Sequence, residues 1–175
     1  MKTSLKYTDE NDKCYGVTGM AIGIVALDSE ELLDSLSLDT DSGDSVKFTS
    51  EYYFSGNPRL SAKIAWNEIL RHFQLSIAMM ISNVMCRHYV SRHATISDDI
   101  RKAMMEIATA EGRDTCSLDD DEINGMFVKS YNYLHRLFNH TGVQAVANDF
   151  ARTLSARRSL TRSEVVEELR ALAML

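Results

Sequence analysis

Asn57–His93, NPRLSAKIAWNEILRHFQLSIAMMISNVMCRHYVSRH, is the stretch on which the fold turns. Asn57 caps free helix amides, and Pro58 at the first helical position gives up an N–H that had no partner. The next Pro or Gly is Gly112, so the spacing predicts a helix from Pro58 to about Arg92. Its length would be roughly 50 Å at the standard helical rise. Trp66, Ile69, Leu70, Phe73, Ile77, Met80, Ile81, Val84 and His88 fall on one broad arc. Leu75, Ala78, Met79, Met85 and Cys86 lie opposite, so the second half is apolar all round and needs neighbours on every side. Its charge-free run, Phe73–Cys86, is broken by Gln74, Ser76, Ser82 and Asn83 and is short for a bilayer span. A core helix, with no membrane, is the reading.

Outward from that rod the chain reads as mainly α, with an α+β character at its N-terminus. The expectation is a bundle of about five to six helices in a single domain over residues 1–175. Residues 1–13 are polar and read as flexible, 14–56 as a β-containing cap, and 57–175 as the helical body. Tyr15–Leu27 (YGVTGMAIGIVAL) is short, apolar and β-branched, and reads as a buried strand, with helix as the alternative. Its glycines, Gly16, Gly19 and Gly23, match no phosphate-binding loop, which leaves close backbone packing or a bulge. Asp28 with Glu31 looks like a capping box for a short helix to about Leu38. Asp39–Asp44 is an acidic turn whose spacing fails the calcium-loop pattern. Val46–Phe54 alternates as a half-buried strand. Two strands cannot stand alone, so they are expected to pack on a helix or to find a further strand, for which another copy of the chain is one source.

Four further helices follow. The first is capped at Thr95 or Ser97 and ends at Gly112. The second is capped at Ser117 and runs to Phe138, with Ile123, Phe127, Tyr131, Leu134 and Phe138 on one stripe and Met126, Tyr133 and Leu137 on another. The third, Thr141 to about Ser155, buries Val143, Val146, Ala147, Phe150 and Leu154. The last opens on a Thr161–Glu164 capping box and buries Val165, Val166, Leu169 and Leu172.

A net charge of −6 argues against nonspecific binding to nucleic acid or anionic membranes. Cys14, Cys86 and Cys116 form no paired or zinc-binding pattern, which points to a reduced, cytoplasmic setting. No catalytic or cofactor motif is present, so no cofactor and no metal are expected. Glu68 and His72, four apart on one helix face, could build a polar or metal-binding pocket with His135. The simpler reading is a surface ion pair, since the spacing matches neither HExxH nor ExxH. Arg157, Arg158 and Arg162 between the last two helices suggest a DNA-binding helix pair over 141–172, but nearby carboxylates nearly cancel their charge. The function expected is that of an interaction or structural protein acting as a homo-oligomer. The alternatives are an enzyme with a pocket around Glu68 and His72, and a DNA-binding regulator.

Overall fold

The computed structural model describes residues 5–40, 44–53 and 62–175. The helix start at Asn57-Pro58, the end of the strand at Phe54 and the middle of the acidic turn, 41–43, lie outside them. The fold is a helical bundle with a small antiparallel sheet. In chain order it comprises α1 (Glu10–Ala26), β1 (Leu33–Ser37), β2 (Val46–Phe48), α2 (Ser50–Tyr53), α3 (Ala62–Met85), α4 (Asp98–Cys116), α5 (Asp120–Phe138), α6 (Thr141–Arg157), β3 (Ser159–Thr161) and α7 (Arg162–Glu168). A π-helical turn, Cys86–Ser91, prolongs α3 without a break.

The long rod is present and enclosed as its pattern demands. Phe73, Ile77, Ile81 and Val84 are buried on one side, and Leu75, Ala78, Met85 and Cys86 on the other. Trp66–Ser91 is long and apolar enough to cross a membrane by length and composition. Here its apolar surface goes instead to α1, α4 and α5. Trp66 at its start is an exception to the expected arc, with 41% of its surface exposed.

The neighbour covering the rod's second side is α1, and this corrects the strand expected over 15–27. The segment is apolar on every side because it is buried on every side, so no helical period shows in the sequence. Asp9 caps it, accepting a hydrogen bond from the Asp12 amide at 2.7 Å. Gly16, Gly19 and Gly23 recur at helical spacing and face Ser82, Asn83 and Cys86 of the rod. Close backbone packing is therefore their purpose, on a helix rather than a strand.

Other expectations also change. Residues 28–38 form a single 3-10 turn, Glu30–Leu32, and then β1. Asp28 has a φ of 50°, which disqualifies it as a helix cap, and Leu33 and Leu36 are buried in the sheet. Only Val46–Phe48 of the second strand pairs, after which the chain turns into α2. The third strand comes from the same chain. β3 lies against β1 with Leu36 opposite Leu160, giving the antiparallel order β2-β1-β3. Gly112 does not end α4, which continues to Cys116 and closes on Ser117 with a φ of 51°. A Cβ on Gly112 would stand 2.8 Å from both Ile123 and Phe73, so it too marks close packing. Asp119, not Ser117, caps α5, in a capping box with Glu122. His140 takes the cap of α6 in place of Thr141 by accepting from the Gly142 amide.

On α5 and α6 the expected stripes are largely buried, whereas on the stripe that leads into α4 (Ile96, Ile100, Met104 and Ile107) Met104 is buried and Ile107 is exposed. Ile123, Phe127, Tyr131, Leu134 and Phe138 are all buried, as are Val143, Ala147, Phe150 and Leu154. The Thr161–Glu164 capping box forms, and Val165 and Leu169 are buried beneath it while Val166 is exposed.

Residues 5–9, which read as flexible in the sequence, are tied to the rod. Arg87, 3% exposed, uses all five guanidinium N–H groups, two of them on this segment. Nε and Nη2 donate to the Asp12 carboxylate at 3.0 and 2.7 Å. Nη1 donates to the Leu5 carbonyl at 2.9 Å and to Asn83 at 3.3 Å, and Nη2 to the Lys6 carbonyl at 2.9 Å. The guanidinium also lies over the Tyr7 ring, 4.8 Å from its centre. Arg92 adds a third bond to Asp12 at 2.8 Å, and the Thr8 amide a fourth at 2.9 Å. A polar beginning reads as a free end only if its partners, some eighty residues on, go unnoticed.

Candidate functional site

The π-helical turn widens the end of the rod and carries its last side chains toward α5. π turns are rare, and they occur often at functional sites. Beyond it the chain reverses at His93, with a φ of 50°, and enters α4 through its Ser97 cap. Between this reversal, the first turn of α4, α5 and the start of α6 lies a cleft of about 470 Å³. Tyr89, His93, Asp98, Arg101, Tyr131 and His135 supply its chemistry, with Asn139 and Gln144 at the α6 end.

Two buried tyrosines make the floor. Tyr89 comes from the π turn and Tyr131 from the core stripe of α5. His135, one turn after Tyr131, stacks nearly parallel to it, at 6.3 Å and 11°, and meets Tyr89 edge-on. The Tyr89 hydroxyl lies 3.0 Å from His135 Nδ1. Burial, reinforced by Tyr131, raises the Tyr89 pKa, so the phenol keeps its proton. The contact between its hydroxyl and Nδ1 orients the His135 ring. Arg101 lies over the Tyr131 ring, 4.7 Å from its centre. The cleft therefore offers two imidazoles, His135 and His93, with a guanidinium and a carboxylate, on an aromatic floor.

The sequence-derived candidates divide between this cleft and other places. His135 is here, but Glu68 and His72 do not join it. His72 lines a separate cavity of about 290 Å³ with Tyr52, Ile69, Phe73, Glu111 and Thr115. Its ring packs on Tyr52 at 4.7 Å, and its Nδ1 is buried with no hydrogen-bond partner among the described residues. Burial lowers the His72 pKa, against the pull of the Glu68 charge, so the ring favours the neutral form. No group of three or more His, Cys, Asp or Glu placed to hold a metal occurs among the described residues. Arg157 donates to Glu164 at 2.6 Å, Arg158 pairs with Asp39 at 2.7 Å and with Glu10, and Arg162 donates to the Glu31 carbonyl at 2.9 Å. Each of these cations thus has a partner on another part of the chain. Burial pushes Cys14 up to about 11 and raises Cys86 and Cys116 as well, which disfavours the thiolate form.

Sequence reasoning missed most of the cleft. In the sequence Tyr131 reads only as part of the core stripe of α5, and it is indeed buried there. The one available signal was Tyr131-x-x-x-His135, an aromatic and an imidazole stacked on one helix face. Compared with known proteins, the chain matches no family model, no curated protein and no solved structure.

Proposed function

We propose that this protein binds a small polar molecule in the cleft between the π turn, α4 and α5. The observation that carries this is the convergence of His93, Asp98, Arg101 and His135, from three parts of the chain, on one cavity floored by Tyr89 and Tyr131. Cavities of about 300–1,000 Å³ with a few converging polar groups are the usual form of small-molecule sites. The contact between His135 Nδ1 and the Tyr89 hydroxyl orients the imidazole in the cleft. With its thiols buried and reduced, the protein suits a cytoplasmic setting.

The test is NMR titration with a panel of neutral, anionic and cationic compounds of metabolite size. At least one compound should shift amides of residues 89–101 and 131–144, and His135→Ala should abolish the response while leaving the fold intact. Silence from the whole panel at millimolar concentration would remove the proposal.

Self-association is the second reading. The rod's second side is covered by α1 and the sheet is completed by β3, so neither calls for another copy. The second stripe of α5 remains, with Tyr133 and Val166 exposed at the rim of a groove lined by Leu137 and Leu172. A second copy meeting that groove would give a dimer by light scattering. A lone species at 19.7 kDa would exclude it.

A further inference from the structure

The cleft contains two opposite charges that do not meet. Asp98 and Arg101 stand three residues apart in the first turn of α4, and both line the cavity. The same spacing produces ion pairs elsewhere in this chain, Asp149–Arg152 at 3.2 Å and Glu167–Arg170 at 2.7 Å. Asp98 and Arg101 have no ion pair or hydrogen bond of their side chains among the described residues. The reason is visible on α5, where Tyr131 holds the guanidinium against its face and away from the carboxylate. The result is a separated positive and negative pole on one wall of a cavity.

We infer that the cleft takes a small zwitterion of the α-amino-acid class, its carboxylate on Arg101 and its ammonium on Asp98. This rests on the cleft reading above and narrows it. A guanidinium fork matches a carboxylate with two parallel hydrogen bonds. A dianion such as phosphate would satisfy Arg101 but face Asp98 with like charge. A simple amine would satisfy Asp98 and leave Arg101 as it is. Only a ligand with both charges close together completes both.

The experiment titrates the full chain with each of the twenty common L-amino acids by NMR at millimolar concentration. The best binder is followed by its deaminated acid and its decarboxylated amine. At least one amino acid should bind, and each analogue should bind about tenfold more weakly or worse, the loss typical of one charge-assisted contact. Arg101→Gln should erase the preference for the amino acid over the amine, and Asp98→Asn its preference over the acid. Both residues lie at the exposed start of a helix, so the variants should melt as the parent does. If no amino acid binds, or an analogue binds equally well, the inference is wrong. A different compound from the wider panel binding in the cleft would then preserve the general reading, whereas silence from both panels ends the two together.

Discussion

Asp12→Ala is expected to destabilise the protein by on the order of 3–5 kcal/mol, the usual cost of removing one partner from a buried ion pair. The carboxylate is 4% exposed and receives Arg87 through two nitrogens. Its loss leaves Arg87 in a dry site with a charge that nothing balances, since its other acceptors are neutral carbonyl oxygens. The melting temperature should fall by roughly 10 °C or more for a chain of this size. Asp149→Ala, which breaks a pair about three-quarters exposed on both sides, should change little. Equal melting of Asp12→Ala and the parent would refute the structural role assigned to this contact.

The same carboxylate predicts a pH dependence. Burial alone would raise its pKa, but hydrogen bonds from Arg87 and the Thr8 amide, with the charges of Arg87 and Arg92, bring it down to about 2. Its folded value therefore lies below its unfolded value near 3.9. The stabilisation is complete above the unfolded value and fades as the pH falls from about 4 through about 2. It amounts to about 2 kcal/mol. Urea midpoints of the parent should drop across that interval, and those of Asp12→Asn should drop less.

Gly19→Ala should be nearly as damaging, although Ala is the better helix former by about 1 kcal/mol. A Cβ there would stand 2.2 Å from the Ser82 carbonyl oxygen and 2.7 Å from the Cys86 Cβ. The first obstacle is main chain and cannot rotate away, so α1 and α3 must separate by about an ångström along their shared seam. Overpacking costs typically about 1–3 kcal/mol even where side chains can yield. Gly19→Leu should fail to give a cooperatively folded protein. Gly125→Ala makes the comparison clean, because nothing lies within 4 Å of its added methyl. It should stabilise α5 by about 0.5–1 kcal/mol. If Gly19→Ala and Gly125→Ala shift the urea midpoint in the same direction, the close helix contact is not as described.

These two sites also show what could be read in advance. The stripe Ile123–Phe138 was legible because one wet face and one dry face leave a period in the sequence. α1 has no wet face, so its helix left none, and β-branched residues pulled the reading toward a strand. The capping box at Thr161 was real, whereas the matching pair Asp28 and Glu31 was not, because Leu33 and Leu36 were needed in the sheet. β3 is three residues, SLT, and no local pattern that short declares itself. The cleft was hidden for a different reason. A π turn has no signature of its own, and residues 89, 101 and 135 become neighbours only after three helices have docked. Arg87 was hidden in the same way, since a charge inside an apolar run means little until its carboxylate is found.

The union of β1 with β3 has a consequence for how the molecule comes into being. Leu36 leaves the ribosome well before the backbone that completes its sheet, around Leu160, has been made. Until then β1 has β2 on one side and an open edge on the other, and open edges recruit other chains. A message cut short before codon 159 would therefore yield not a smaller version of this protein but a sticky fragment, one for chaperones and proteases to clear.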